Sequence, residues 1–273
     1  MRIALLFNQD IHANKALNIL LPCLERHSIG LFMSSQVGKS SATHPDLTRL
    51  QFAEQTLFNR YIFPTLDQRD ERKTHLTFNQ IARSLSSTLT TLDDVNQETG
   101  LEKLRSFNPD LMISIRFGKI LQNDAIGIPR IGTLNLHSGI LPQYRGVMAS
   151  FWSILQGDEE IGTTLHWISD SGIDTGAIIS IKKHRVTAAS YFAHVHKLYE
   201  QGAKQIEEAI NLIELGKDLP TVAALGKAAY FSFPNQQDIE TFKDAGKSLV
   251  DETDEIATLS RFLESWPFRN RKS

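Results

Sequence analysis

Four continuous apolar runs, separated by polar or helix-like sequence, restrict the fold of this chain more than any other feature. They are RIALLF at residues 2–7, SIGLFMSS at 28–35, PDLMISIRFG at 109–118 and GTLNLHSG at 132–139. Continuous runs of this length are typical of parallel strands that are buried on both faces, whereas surface strands alternate between apolar and polar residues. Strands interleaved with helical stretches predict an α/β protein with a doubly wound, Rossmann-like sheet.

Three segments show the apolar spacing of helices, at 14–26, 47–63 and 190–216. The last is the longest predicted helix, with Ser190 as a suitable N-cap and Gly216 as a suitable stop. Two histidines inside it, at positions 194 and 196, are two residues apart and therefore lie on different faces of the helix. They do not predict a shared metal site.

The loop after the first strand argues against a nicotinamide cofactor. Its sequence, FNQDIHANKA, contains none of the glycines that allow a dinucleotide pyrophosphate to approach the backbone. The net charge of −2 disfavours a nucleic-acid partner. Cys23 is the single cysteine, which excludes a disulfide within the chain and a cysteine-rich metal site. The first apolar run is too short for a signal peptide or a membrane span, so we expect a soluble cytoplasmic protein without a membrane partner.

Asn135 and His137 follow each other at a spacing of two near the end of the fourth run. In an extended chain this spacing directs both side chains to the same face. An asparagine amide can donate to an oxyanion, and a histidine can exchange protons near neutral pH, so the pair suits acyl transfer without a protein nucleophile. A plain polar turn at a strand end is the alternative. Downstream, a loop between two further strands carries Asp170 and Asp174, either of which could face the histidine.

Two blocks of sequence together resemble the folate-dependent formyltransferases of glycinamide ribonucleotide, methionyl-tRNA and amino sugars. The first is NLHSGILPQYRG at 135–146, and the second is GDEEIGTTLHWISDSGIDTGAII at 157–179. FNPDLMISIRFGKIL at 107–121 is similar to the strand and loop before the site in that family. One position departs from the pattern, because the family usually has a serine where this chain has Gly139.

The resemblance implies a formyltransferase fold and a reaction in which an amine attacks the formyl carbon of 10-formyltetrahydrofolate, with no metal. It implies Asn135 as the oxyanion donor, His137 as the proton carrier and Asp174 as the group that orients the imidazole. It also suggests a cis peptide at Leu141–Pro142. The residues implied to line the pterin pocket are Arg116, Phe117, Gly118, Lys119, Ile120, Leu121, Ser169, Asp170, Ser171, Gly172 and Ile173.

Other functions remain open at this point. A hydrolytic deformylase would use the same trio with water in place of the amine. A metallohydrolase would use His137, His166 and Asp174 as ligands, although His166 lies in an apolar run typical of a core residue. A non-enzymatic α/β binding protein would require the trio to be incidental.

The acceptor predicted from the sequence is a small-molecule amine, of which a nucleotide-linked amino sugar is one candidate. Methionyl-tRNA is the alternative, disfavoured by the short stretch after the long helix and by the acidic charge balance. We expect a catalytic domain at 1–216 and a small appendage at 217–273, made of a strand plus a helix, that serves acceptor choice or self-association. Its apolar positions would either pack on the chain's own domain or pair with a second copy in a homodimer, and they are Ile256, Leu259, Phe262, Leu263 and Trp266.

Overall fold

The structure is a computed structural model that describes residues 1–35, 44–68 and 74–264. Within these ranges the strands are β1 (Arg2–Asn8), β2 (Ser28–Ser34), β3 (Leu89–Thr91), β4 (Leu111–Ile115), β5 (Gly132–His137), β6 (Arg145–Gly146), β7 (Glu160–Ile168), β8 (Ile178–Arg185) and β9 (Tyr230–Phe231). Seven of them form one sheet in the order β3-β2-β1-β4-β5-β7-β8, and the two short strands β6 and β9 pair separately. The five strands β3, β2, β1, β4 and β5 are parallel to one another. Next to them, β7 pairs antiparallel with β5, and β8 pairs antiparallel with β7.

Helices cover both faces of this sheet. They are α1 (Ile11–Leu24), α2 (Pro45–Gln51), α3 (Phe63–Asp67), α4 (Phe78–Ser84), α5 (Glu98–Phe107), α6 (Asn123–Ile126), α7 (Ala149–Leu155), α8 (Tyr191–Glu214), α9 (Gln236–Asp244) and α10 (Glu252–Leu263). A π-helical segment, Phe52–Ile62, joins α2 to α3. The predicted α/β class, with helices on both faces of a largely parallel sheet, is thereby confirmed.

Alternation along β1 shows how the two layers form. Leu5 and Phe7 contribute to the larger core, which also contains α1 and α8, whereas Ala4 and Leu6 contribute to a smaller core with α5. Alternate residues of β1 face opposite sides of the sheet, and both sides are buried. Apolar residues are therefore needed at every position, which gives the continuous apolar run in the sequence. Local signals fix the helices: the Ser190 hydroxyl accepts from the Ala193 N–H at the start of α8, and Gly216 follows its end at a φ of +66°.

The chain after Gly216 packs on the same core. Phe242 of α9 stacks on Phe151 with ring centroids 4.6 Å apart, and Phe262 of α10 lies 5.3 Å from Phe63. This segment contains the two-residue strand β9 and the two helices α9 and α10, whereas the sequence predicted a strand and one helix. The domain boundary after residue 216 stays a prediction.

The apolar positions predicted for α10 do not share one environment. Phe262 is buried, Leu259 is half-buried, and Ile256 and Leu263 are exposed. Trp266 lies outside the described residues. Self-association through this helix therefore stays a prediction. None of the helices that the structure describes is both long enough and apolar enough to cross a membrane.

Candidate active site

Strand pairing brings the predicted catalytic residues to one place. Asn135 and His137 point from the same face of β5, and Asn135 lies directly opposite His166 of the antiparallel neighbour β7. The loop between β7 and β8 folds back so that Asp174 reaches both β5 side chains. Residues from two strands and a loop thus converge, although 39 positions separate Asn135 from Asp174 along the chain.

The Asp174 carboxylate lies at the centre of this group. Its Oδ1 is 3.3 Å from the amide nitrogen of Asn135, and its Oδ2 is 3.5 Å from Nδ1 of His137. Oδ2 also accepts a 2.9 Å hydrogen bond from the backbone N–H of Gly146. Asp174 adopts a left-handed backbone with φ of +53°, which a non-glycine residue seldom adopts and which is often found at functional sites.

Charge and hydrogen bonding keep this carboxylate ionised. Burial alone would raise the pKa of Asp174, but the neighbouring His137, the ring of His166 and the Gly146 N–H favour the charged form more strongly. The resulting pKa is about 2. Asp174 therefore carries a negative charge at neutral pH next to an imidazole, as an orienting carboxylate must.

The His137 ring is held by a hydrogen bond at Nε2, while its Nδ1 faces Asp174. Its Nε2 lies 2.7 Å from the carbonyl oxygen of Tyr144, and because a carbonyl only accepts, this nitrogen is the donor. Gly139 permits this position, since a Cβ atom there would lie 2.6 Å from Nε2 of His137 and 2.9 Å from the Tyr144 oxygen. The departure from serine at this position thus coincides with the tightest contact around the imidazole. The Leu141–Pro142 peptide in the same loop is cis, as predicted.

His166 belongs to this group, although its sequence context indicated a core residue. Its Nδ1 donates to the carbonyl oxygen of Trp167 at 2.8 Å, and its Nε2 lies 3.0 Å from the Asn135 amide nitrogen and 3.4 Å from Asp174 Oδ1. The ring therefore lies against both the amide of Asn135 and the carboxylate of Asp174. Only the pairing of β5 with β7 reveals this, because the two segments are far apart in sequence. Over the described ranges, no set of three or more histidine, cysteine, aspartate or glutamate side chains is arranged to hold a metal ion.

Arg116 begins the first segment predicted to line a pterin pocket, but its side chain turns into the protein. The guanidinium lies 2.7 Å from Asp10 and 3.0 Å from Glu54 of the π-helical segment, and Glu54 also lies 3.0 Å from His12. Burial opposes a charge on Arg116, yet the two carboxylates hold its pKa well above the usual value. Its contribution to a pocket would come from the backbone, which is left-handed at φ of +58°.

The remaining predicted pocket residues differ in exposure. Leu121 is buried, Ile120 is 56% exposed, and Lys119 pairs with Asp93 at 3.4 Å. The backbone N–H of Gly118 donates to Ser34, and Phe117 packs at the edge of the smaller core. The loop residues Ser169, Asp170, Ser171 and Gly172 are exposed and Ile173 is half-buried. Asp170 shapes this loop by accepting from the Gly172 N–H at 2.7 Å. Binding of a pterin by both segments stays a prediction.

Comparison with known proteins identifies the family. The formyl transferase family model matches residues 38–211, well over half of the chain. The methionyl-tRNA formyltransferase of Agathobacter rectalis is 34% identical over 177 residues, which cover 63% of this chain and 54% of that protein. The chain thus belongs to the formyltransferase family, as the resemblance implied, and matches about half the length of the curated relatives.

Solved structures share the fold. A sugar N-formyltransferase from a Shewanella species aligns over 99% of this chain and 91% of that one, with a TM-score of 0.57 and 14% identity. An N-formyltransferase from Helicobacter canadensis, in complex with folinic acid and dTDP-3-aminofucose, covers 88% of this chain and 72% of that one, with a TM-score of 0.54 and 17% identity. At these identities the likeness is one of fold.

Proposed function

We propose that this protein transfers the formyl group of 10-formyltetrahydrofolate to the amine of a small molecule. The observation that carries the proposal is the convergence of Asn135 and His137 on the Asp174 carboxylate, within 3.5 Å, in a chain of the formyltransferase family. An amide donor, an imidazole and an ionised carboxylate are the groups that acyl transfer between two nitrogens requires.

In this reaction the acceptor nitrogen forms a bond to the formyl carbon, and the bond from that carbon to the folate nitrogen breaks. Negative charge develops on the formyl oxygen, where an N–H of Asn135 would stabilise it. We expect the formyl oxygen to replace the 3.3 Å contact to Asp174, which is the longer of the two contacts of the Asn135 amide nitrogen. His137 would take up the proton lost by the acceptor at Nδ1, the nitrogen that does not donate to Tyr144, and pass it to the departing folate nitrogen, while the Asp174 charge 3.5 Å away stabilises the charged ring.

Methionyl-tRNA is the second candidate acceptor, because relatives of about 30% identity carry that name. A hydrolytic deformylase is a third candidate, since water could attack the same carbon. The three reactions differ in their products, so a single assay separates them.

The test is to incubate the protein with 10-formyltetrahydrofolate and to measure tetrahydrofolate and formate, without an acceptor and with each of several amines or methionyl-tRNA. We expect tetrahydrofolate release to depend on a small amine and formate to remain low. Equal amounts of formate and tetrahydrofolate, independent of any amine, would establish the hydrolase. Release with methionyl-tRNA alone would establish the second candidate, and no release under any condition would refute formyl transfer.

A further inference from the structure

Two backbone groups in the loop after β5 contact the candidate catalytic side chains. The carbonyl oxygen of Tyr144 accepts the 2.7 Å hydrogen bond from Nε2 of His137. Two residues further on, the N–H of Gly146 donates at 2.9 Å to the Asp174 carboxylate. Residues 144–146 therefore touch both the imidazole and the carboxylate. A displacement of this short segment would move or release both groups together.

Strand β9 determines which way this segment faces. The N–H of Arg145 donates to the carbonyl oxygen of Ala229 at 3.0 Å, and the N–H of Val147 donates to that of Phe231 at 2.9 Å. Successive N–H groups of a strand point to opposite edges. The N–H of Gly146, which lies between these two, therefore points away from β9 and towards the carboxylate. Pairing with β9 thus aims the backbone donor that stabilises the charge in the site.

Close approach of β9 depends on the glycine. Gly146 has a φ of +97°, and a Cβ at this position would lie 2.2 Å from the carbonyl oxygen of Phe231. A third backbone hydrogen bond, 3.2 Å long, runs from the N–H of Ala229 to the carbonyl oxygen of Pro142. The chain around β9 is therefore attached to the loop both before and after the residues that contact the imidazole and the carboxylate.

The Phe231 side chain anchors β9 on this loop. Its ring stacks on Tyr144, with centroids 5.6 Å apart, and on Trp152 of α7, with centroids 5.1 Å apart. Trp152 also donates its Nε1–H to the carbonyl oxygen of Ser232 at 3.1 Å. A two-residue strand has too few backbone hydrogen bonds to be stable alone, so the aromatic stack holds β9 in register.

Phe262 provides a comparison within the same part of the chain. It lies in α10 and packs on Phe58 and Phe63, with centroids 5.9 and 5.3 Å apart. Phe262 is buried, whereas Phe231 is half-buried. Loss of the Phe262 ring should therefore cost at least as much stability as loss of the Phe231 ring. The two residues thus allow a stabilising role to be separated from a positioning role.

We infer that Phe231 is a positioning residue for the transfer reaction. Through β9 it holds the backbone of residues 144–146, and this backbone holds His137 and Asp174 in the orientation that the reaction requires. The effect on turnover rests on the proposed formyl transfer. The inference gives the chain after α8 a part in the catalytic geometry, in addition to the acceptor choice or self-association predicted from the sequence.

The first test requires no catalysis, so its failure is distinct from failure of the proposed function. The imidazole signals of His137 are recorded by ¹H–¹⁵N NMR and assigned by their loss in His137→Asn. In Phe231→Ala we expect the Nε2–H signal to move upfield or to broaden through exchange with water, because the bond to Tyr144 loosens. Phe231→Tyr keeps the stacked ring and should restore the wild-type signal. Phe262→Ala should leave it unchanged. Unchanged His137 signals in Phe231→Ala, or the same change in Phe262→Ala, would overturn the inference.

The second test separates kcat from KM, using 10-formyltetrahydrofolate and the amine that gives the fastest tetrahydrofolate release. Phe231→Ala should lower kcat about ten- to hundredfold and leave both KM values within about twofold, because displaced groups weaken the transition state more than substrate binding. Phe231→Tyr should recover most of the kcat, and Phe262→Ala should keep the kcat per folded molecule.

Two kinetic outcomes would contradict the inference. One is a wild-type kcat in Phe231→Ala, and the other is a rise confined to the KM of the amine, which would assign the segment to acceptor binding. If the wild type releases no tetrahydrofolate with any acceptor, the proposed function fails, and the NMR comparison alone decides whether Phe231 positions the imidazole.

Discussion

Two polar clusters in this protein each place an aspartate beside histidine but differ in what surrounds them. The closed cluster, made of Asp10, His12, Glu54 and Arg116, joins the ends of β1 and β4 to the π-helical segment and is buried. The open cluster, made of Asn135, His137, His166 and Asp174, borders a cavity that also exposes Arg145.

The two clusters differ in whether other side chains of the protein enclose and neutralise their charged groups. In the closed cluster, Arg116 is held by two carboxylates, so the arginine, the loop that it begins and the π-helical segment are fixed to one another. In the open cluster, the Asp174 carboxylate is stabilised by the protein, but the group borders a cavity on one side. A cluster enclosed by the protein stabilises the fold, whereas one that borders a cavity is accessible to a ligand.

We expect the largest effect on turnover when the Asp174 charge is removed from the open cluster. Asp174→Asn keeps the size of the side chain but no longer stabilises a charged imidazole. We expect the rate of tetrahydrofolate release with the best amine to fall about 100-fold or more, with an unchanged circular dichroism spectrum. His137→Asn should lose a similar factor. Near wild-type turnover in either variant would remove the trio from the mechanism.

The corresponding change in the closed cluster should affect stability instead. Glu54→Gln leaves Arg116 and His12 buried with weaker compensation, so the free energy of unfolding should fall by about 3 to 5 kcal/mol in urea denaturation. Glu98→Gln is the matched control, because Glu98 is 73% exposed in its pair with Arg105 and should contribute less than about 1 kcal/mol. A loss of kcat per folded molecule, with stability retained, would show that the closed cluster takes part in the reaction.

A smaller effect concerns the pH dependence of stability near the closed cluster. Burial, with Lys15 and His12 nearby, lowers the pKa of His196 well below its usual value, so this histidine is neutral in the folded protein. The unfolded chain gains its proton below about pH 6.5, so this contribution to stability is complete above that pH and is lost as the pH falls.

Comparison of the wild type with His196→Gln tests this dependence. Between pH 6.5 and 5.5 the wild type should lose about 1 kcal/mol of unfolding free energy through this residue, and the variant should lose correspondingly less. The measurement is urea denaturation at both pH values. Equal slopes in the two proteins would show that His196 does not titrate differently on unfolding.

The smallest expected effect tests how tightly the open cluster is packed. Gly139→Ser introduces a Cβ that would crowd His137 Nε2 and the Tyr144 carbonyl oxygen. We expect the imidazole to shift and kcat to fall about two- to tenfold, the cost of a moderately displaced side chain. The stability of the protein is the control, because a large loss there would indicate a clash with Ala149 rather than a displaced ring.

Local sequence was sufficient to predict six of the seven strands of the large sheet, all but β3, together with the long helix and the polar side chains at the end of β5. The apolar run of β1 predicts its strand because a strand buried on both faces needs apolar residues at every position. Ser190 and Gly216 bound α8 because capping depends on residues within one turn of the helix end. The resemblance carried by 135–146 and 157–179 named Asn135, His137 and Asp174 together, and the structure brings them within hydrogen-bonding range or close to it.

Tertiary structure alone decided which partner each polar side chain meets. The sequence placed Arg116 in a predicted pterin pocket, but the fold directs its guanidinium to Asp10 and Glu54, which lie 106 and 62 positions away. The sequence around His166 indicated a core histidine, whereas the pairing of β5 with β7 places it beside Asn135. Arg145 is one residue of a family motif in the sequence, whereas the fold places it in the wall of a cavity that residues of the stretch after α8 also line. Local patterns specify backbone conformation because the forces that fix it act over a few residues, whereas an ion pair or a cavity depends on segments that only folding brings together.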